Sequence, residues 1–579
     1  MICGGNLMGN KYLDYNEVFS NPSYKHYIVQ YEGDIESDFK GKEGYSVTAI
    51  NSNYAIVSLK KSLEIEDGDP NFPSIVYIKR REIYTLESIS PVQAANVQFL
   101  QSEVSLNLTG RNVVIGMIDT GIDYLNDEFK DKLGDTRIEC IWDQTINTMD
   151  KANNTQIPYG TLYEKSEIRD AIKNSKEGLN PYDIVPSKDE IGHGTNMAGI
   201  IGGNGSKTGI VKVAPECKFA VVKLIQSANF KEEYPVDVPV YNIVAIFTAL
   251  QFLYDYAIDN NVPMVIYIPL GTNSGNHKGS GILEEYIDQM TIVEKIVVVT
   301  GAGNEGVARG HTSGNINSEG DISVIQLNVS PEQKSLIIEI WVDCPNIMSL
   351  DIVSPSGENT GFVPAPITLN SEYSFIFEKT NVKIKYFIPE ETSGDELILV
   401  EFKNLQPGIW KMVLTGELIV GGRYNAWITY TGQMVKDTYF SPCDPYGTIT
   451  NPGTASYIIT VAAYNQDNNN VVKYSGMSNQ YDYMERIDIA AGGVNALTVG
   501  PNNKIEMVNG TSVAAAIVAG TCALILQWGV EVRKDIYMNA QTIRYYIIGG
   551  SSKRSGDIYP NPQWGYGKLD VLGIFENMI

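Results

Sequence analysis

Apolar residues fall along this chain in three rhythms, and each predicts a different kind of structure. Before residue 88 they lie in two short runs, at 27–31 (YIVQY) and 54–59 (YAIVSL), with room for a helix between them. That pattern predicts a small α+β unit over residues 1–87. From 112 to 302, apolar runs at 113–118, 219–224, 262–268 and 296–299 alternate with longer helix-like stretches such as 241–257. Strands apolar on both faces and separated by helices predict a parallel sheet covered on both sides, an α/β fold. Residues 313–435 change rhythm again, to short β-rich runs at 322–329, 336–341, 382–387, 397–402, 410–414 and 426–430. Turn signals such as Pro355-Ser356-Gly357 and Gln406-Pro407-Gly408 punctuate them. This predicts a β-sandwich inserted into the α/β domain. The α/β pattern resumes at 457–462 and ends on helices, so the predicted division is 1–87, 88–312, 313–435 and 436–579.

Composition narrows the partners. At 579 residues and 43% hydrophobic, the chain can bury a large core and divide into domains. A net charge of -24 repels nucleic acid and anionic membrane surfaces, so neither is expected as a partner. The cysteines at 3, 140, 217, 344, 443 and 522 are scattered without a CxxC pair, which favours free thiols over a disulfide framework. The N-terminus lacks a basic region followed by an apolar stretch, so no classical secretory signal is read and cytoplasmic synthesis is expected. The longest apolar run, 513–528, is interrupted by Gly520, Thr521 and Gln527. It is too short to span a bilayer and reads as a core helix.

Candidate chemistry comes from three segments. Ile118-Asp119-Thr120-Gly121, Gly192-His193-Gly194-Thr195 and Gly510-Thr511-Ser512 occur in the order Asp, His, Ser. In this reading Asp119, ending a buried strand, fixes the tautomer of His193. His193 acts as general base, and Ser512 is a nucleophile at a helix N-terminus where developing negative charge is favoured. Each residue also has a structural reading: a turn-capping Asp, a core His satisfied by a carbonyl, an N-capping Ser. A fourth segment, Thr300-Gly301-Ala302-Gly303-Asn304-Glu305-Gly306, follows a buried strand and offers the Asn304 amide to an oxyanion, with the Ser512 backbone N–H as second donor. Leu270 and Gly271 are expected to pair with substrate backbone. Together with Gly301, Ala302 and Gly303 they would wall the pocket for the residue before the scissile bond, with Glu305 at its edge either favouring basic side chains or merely solvated. His26, His277 and His311 have no comparable setting and are expected on the surface or in loops. No metal or cofactor is expected.

These motifs, with Gly209-Ile210-Val211-Lys212-Val213-Ala214-Pro215 leading into a strand, resemble the subtilase (S8) family of serine proteases, whose triad runs in this order. Within it the chain is most similar to the clostridial Csp germination proteases, on the segment Gly510-Thr511-Ser512-Val513-Ala514-Ala515-Ala516 and the long insertion between Asn304 and Ser512. Ala516 and Ile517 depart from the usual Pro-His. The loop 202–208 is short, so the calcium loop of secreted subtilisins is expected to be absent. The resemblance implies a subtilisin-like parallel sheet with flanking helices, an N-terminal propeptide and a jelly-roll insertion. It further implies a self-cleaving serine endopeptidase that retains its cleaved propeptide and acts on a few precursor proteins, such as a spore cortex-lytic hydrolase, in a spore-associated setting. The segment 81–88 suits pairing with 268–271, and Glu87-Ser88 is the expected scissile bond. Two alternatives stay open: a catalytically silent scaffold or signalling protein, and a general-purpose commensal protease.

Overall fold

The computed structural model describes residues 18–19, 21–79, 82–86, 95–97, 106–148, 157–210, 212–234, 238–365, 370–428, 432, 434–479, 487–535 and 537–578. Its centre is a nine-stranded sheet. Strands Ile459–Asn465, Ile296–Gly301, Met264–Tyr267, Val114–Asp119, Lys218–Lys223 and Ile138–Asp143 lie side by side in parallel. Short antiparallel strands close both ends: Thr161–Glu164 beside Ile138–Asp143, and Asn470–Val471 beside Ile459–Asn465, which also pairs with Ile489–Gly492. The apolar runs read from the sequence are these strands, and every residue of Val114–Asp119 and Ile296–Gly301 is buried. Helices His193–Gly202 and Thr511–Gln527 pack on one face with no exposed residue. Together with its continuation to Arg533, the second is long and apolar enough to cross a membrane, yet it lies buried inside the protein as a core helix. Helices Ile243–Asp259 and Ile282–Thr291 contribute to a second core on the other face.

Strand ends explain where chemistry can collect. In a parallel sheet all C-terminal ends share one edge, and a functional group placed there faces a crevice. Register pairs Met117 with Tyr267 and Tyr267 with Val299, so Asp119, the segment 268–271 and Gly301 emerge at one level.

The N-terminal unit is a four-stranded antiparallel sheet, ordered Tyr45–Ala49, Tyr54–Lys60, Tyr24–Tyr31, Ile75–Lys79. Alternation gives it two apolar faces. Val29, Val57 and Ile78 pack on Phe39 of the helix Ile35–Phe39, whose first turn is capped by Asp34. Ile28, Tyr54, Ile56 and Tyr77 join the second core, where the Tyr54 ring lies 5.0 Å from Phe247 and 5.7 Å from Tyr286. A unit with so large a buried face is a docked part of the whole.

Between Gly301 and Ile459 the chain builds two antiparallel sheets packed face to face. The six-stranded one runs His311–Asn315, Arg423–Ile428, Ser335–Val342, Glu396–Lys403, Asn381–Phe387, Asn370–Ser374. The four-stranded one runs Ile347–Val353, Gly408–Leu418, Ile322–Val329, Tyr439–Phe440. Trp410, Phe402, Ile338, Leu350 and Leu414 fill the space between them. The strands reach two residues before and several beyond the expected 313–435. Asn370–Ser374 (NSEYS) is too polar to register as an apolar run, whereas Ile347–Val353 (IMSLDIV) is an apolar run that the sequence pattern above leaves out.

The expectation of surface or loop positions fails for two of the other three histidines: His26 and His311 are buried strand residues, whereas His277 lies, half-buried, in the loop between Gly271 and Ile282. His26 is buried, with Nδ1 2.9 Å from Ser58 Oγ. The rings of His277 and His311 lie 4.0 and 4.6 Å from Trp427, against which both stack, with interplanar angles of 8° and 17°. Burial pushes the His277 pKa down to about 4. An aromatic partner some 115 to 150 residues away in the chain supplies a setting that no local pattern discloses.

Candidate active site

Asp119 is the last residue of its strand and is fully buried. Its Oδ1 accepts the Thr120 N–H at 2.7 Å, and both carboxylate oxygens lie 2.9 Å from His193 Nδ1. That geometry directs Nδ1–H at the carboxylate and leaves Nε2 as the basic nitrogen. His193 is the first residue of its helix, after Gly192 at φ +91°. The glycine that follows is dictated by space: a Cβ on Gly194 would stand 2.1 Å from the Gly121 carbonyl oxygen. Helix start and strand end touch backbone to backbone, and this contact brings Asp119 and His193 together.

Ser512 occupies the first turn of the helix Thr511–Gln527, whose cap is Gly510 at φ +141°. It therefore sits just inside the helix rather than capping it. Tyr267 donates its hydroxyl to the Ser512 carbonyl at 2.6 Å, tying this turn to the central sheet. Ser512 Oγ is buried and has no hydrogen-bond partner among the described residues. A buried hydroxyl without a partner costs stability.

Asn304 follows Gly303, whose φ of +91° and close approach to Thr450 Oγ1 leave no room for a side chain. Thr511 donates both its N–H and its hydroxyl to Asn304 Oδ1, each at 3.3 Å. That fixes the amide with its Oδ1 arm on the residue before Ser512, so the Nδ2 arm points away from Thr511. Glu305 is no plain solvated carboxylate. Its Oε2 accepts from Asn273 Nδ2 at 2.9 Å, and the same nitrogen donates to the Ile428 carbonyl of the sandwich at 3.1 Å.

Leu270 and Gly271 form a two-residue strand, and its partner is the chain's own N-terminal unit. Ile83–Leu86 pairs antiparallel with it, Leu86 opposite Leu270 and Thr85 opposite Gly271. On its other edge the same segment pairs antiparallel with Tyr241–Asn242. The 268–271 wall is the expected one, whereas the sequence reading gave Tyr241 to a helix that in fact begins at Ile243. Gly301, Ala302 and Gly303 line up behind this strand at the end of theirs. The Ala302 and Gly303 carbonyls are engaged by Thr450 N–H and Gly476 N–H at 3.2 and 2.8 Å. The expected scissile pair, Glu87 and Ser88, lies outside the described residues.

Two further features escaped the sequence reading. Asp189, 5% exposed, accepts four hydrogen bonds around the start of the His193 helix. A cluster of acids surrounds Lys79, the last residue of the strand Ile75–Lys79. Its ammonium pairs with Glu82, while Glu284 and Glu339 are buried close by and Tyr77 donates to Glu390 of the sandwich at 3.1 Å. Burial raises the Glu284 pKa to about 7 against the pull of Lys79, and raises that of Glu339 as well. Glu339 accepts the Gly275 N–H of the cleft loop at 2.9 Å and Trp341 Nε1–H at 3.0 Å. Among the described residues no group of three or more His, Cys, Asp or Glu is arranged to hold a metal ion.

The subtilase family profile matches residues 110–352 and 445–567, more than half of the chain. The structure of the CspB protease of Clostridium perfringens superposes with a TM-score of 0.73 at 29% identity, covering 83% of this chain and 96% of that one. The PIII-type proteinase of Lactococcus lactis is 21% identical over 84% of this chain, and the subtilisin-like protease SBT6.1 of Arabidopsis thaliana 29% over 23%. The chain spans only 25% and 13% of the length of these two curated relatives.

Proposed function

The chain belongs to the subtilase family of serine peptidases, and from that premise we propose that it is an endopeptidase made as a self-cleaving zymogen, with the strand Ile83–Leu86 held in its cleft as a product. The observation that carries this reading is the three-stranded ribbon in the cleft. A chain lying between two enzyme edges, hydrogen-bonded to both, is the posture of a bound peptide. It is also the segment just before the bond expected to be cut.

The chemistry follows from the site. Ser512 Oγ attacks the carbonyl carbon of the scissile bond while His193 Nε2 takes its proton. The resulting imidazolium is stabilised by Asp119 at Nδ1. The Oγ–Nε2 hydrogen bond closes in the productive complex, since catalytic contacts tighten when substrate is bound. The tetrahedral oxyanion accepts from Asn304 Nδ2 and the Ser512 N–H at the positive end of its helix. His193 then returns its proton to the leaving amine, the acyl-enzyme forms, and water releases it by the same steps. The first turnover is intramolecular, so even a selective site cuts once at high effective concentration. Afterwards the docked face of the N-terminal unit keeps its new C-terminal tail in place.

A cleft filled by its own product admits few competitors, which favours a short list of protein precursors over general digestion. A spore cortex-lytic precursor is the class implied by the Csp resemblance, in a spore-associated setting. A scaffold role is disfavoured by the intact Asp119, His193, Ser512 and Asn304. The test is intact mass and N-terminal sequencing of the purified protein. Wild type should appear as two co-purifying fragments, and Ser512→Ala as one chain of 63.9 kDa. A wild-type chain that stays whole would sink the zymogen reading.

A further inference from the structure

The carboxylate of Asp189 sits where the two halves of the Asp119–His193 pair meet. Its Oδ1 accepts the Gly192 N–H at 2.7 Å and the Thr120 hydroxyl at 2.8 Å. Its Oδ2 accepts the Thr195 N–H at 2.8 Å and the Thr195 hydroxyl at 2.7 Å. Thr120 directly follows Asp119, and Gly192 directly precedes His193. Both hydroxyls serve twice: Thr120 Oγ1 accepts the Gly194 N–H at 2.9 Å, and Thr195 Oγ1 accepts the Asp123 N–H at 2.9 Å. Four donors from the strand end and the helix start therefore converge on one buried carboxylate. The cap of this helix is a glycine, which has no side chain to offer the third N–H of the helix, and Asp189 supplies that acceptor from three residues upstream. The loop that carries Asp189 is itself clamped, because Lys223 Nζ donates to the Lys188 carbonyl at 2.6 Å and to Glu190 Oε2 at 2.7 Å.

We propose that Asp189 is a positioning residue for peptide hydrolysis, fixing the His193 imidazole against Asp119 by binding the strand end and the helix start to one carboxylate. The inference rests on the peptidase reading above. It separates from simple helix capping through one substitution. Asn caps helix N-termini about as well as Asp, so a capping role predicts that Asp189→Asn is nearly silent. A four-donor hub predicts otherwise: the amide keeps one acceptor oxygen and turns an N–H₂ group toward two of the four donors. A misplacement of about 1 Å at a catalytic group is enough to cost on the order of 10²-fold in rate.

Self-cleavage is a fitting readout, because an intramolecular substrate removes binding from the measured rate. Full-length wild type, Asp189→Asn and the remote core variant Ile547→Val are produced by cell-free synthesis and their splitting is timed. Labelling of Ser512 by a fluorophosphonate gives a second rate for the same three proteins. Asp189→Asn should split and label about 10- to 100-fold more slowly than wild type, while its thermal midpoint falls no further than that of Ile547→Val. Rates for Asp189→Asn within about twofold of Ile547→Val would overturn the proposal, as would a rate loss matched by equal loss of fold. A wild-type chain that labels without splitting refutes the processing reading, and the labelling rates still decide on Asp189. One that neither splits nor labels refutes both.

Discussion

If the chain is the self-cleaving zymogen proposed above, replacing Lys79 with methionine should loosen the N-terminal unit from the peptidase after cleavage. Methionine keeps the length and apolar stem of the side chain and removes only the charge. Lys79 and Glu82 are 5% and 3% exposed, and Glu284 and Glu339 stand 2% and 7% exposed beside them. The Lys79 ammonium pairs directly with Glu82 and attracts Glu284, while Glu339 is held by the Gly275 and Trp341 N–H groups. Removing one partner from a buried ion pair costs about 3–5 kcal/mol, because the remaining charge stays out of water. Lys79 and Glu82 leave the cleft together when the unit dissociates, and a departed Glu82 is solvated whether or not Lys79 is present. The penalty therefore falls on the seated state. At about 1.4 kcal/mol per factor of ten, retention should weaken roughly 10²- to 10³-fold. The assay is gel filtration of the self-cleaved protein over a dilution series, with fragment release followed by native mass spectrometry and peptide hydrolysis. Adding Glu82→Gln to Lys79→Met removes the stranded partner of the pair and should restore most of the loss. Retention within about threefold of wild type in the single variant would show that the acids are screened or protonated without Lys79, and the argument would fail.

Other substitutions test the remaining geometry. Asn304→Ala should leave peptide binding nearly unchanged and lower kcat by roughly 10²- to 10³-fold in steady-state kinetics, the usual loss for one oxyanion donor. Gly194→Ala forces a Cβ to 2.1 Å from the Gly121 carbonyl oxygen, so the strand end and helix start must part. Labelling of Ser512 should drop sharply while circular dichroism changes little. Glu396, buried in the sandwich, has its pKa raised by desolvation to about 8 from an ordinary 4.5. The folded carboxyl keeps its proton through a window in which the unfolded chain has released it, so stability declines as pH rises from about 4.5 to 8. Glu396→Gln has no proton to lose. Thermal melts should therefore show it more stable than wild type above pH 8 and equal to it near pH 4, with the reverse order excluding a buried protonated acid.

The residues legible in the sequence are those whose neighbours are forced by close packing. Gly194 must be glycine to meet Gly121, and Gly303 to meet Thr450, so Asp119, His193 and Asn304 each come with a readable flank. The buried strands of the parallel sheet were readable for a related reason, being apolar on both faces. What stayed hidden depends on partners distant in the chain. Asp189 looks like any loop acid until its donors are placed around it. Tyr241–Asn242 is too short to carry a periodic signal and becomes a strand only beside Ile83–Leu86. His311 sits in a polar segment and is buried against Trp427, on which the loop residue His277 also stacks. The acid cluster at Lys79 draws on three separate stretches of chain, whose individual charges look like ordinary surface.

Ser512, the proposed nucleophile, rides on a helix buried over its whole length, and this sets the timescale on which the site can come apart. Amides of Thr511–Gln527 have no route to water short of opening the central sheet, so their exchange with deuterium should proceed only through global unfolding. The hydrogen bonds of Tyr241–Asn242 and Leu270–Gly271 to Ile83–Leu86 are of another kind, since they vanish whenever that strand leaves. Heating or dilution should therefore empty the cleft long before it disturbs Ser512. Between those two events lies a range of conditions in which a fully formed peptidase stands open, with its exchange-labile edges reporting its occupancy residue by residue.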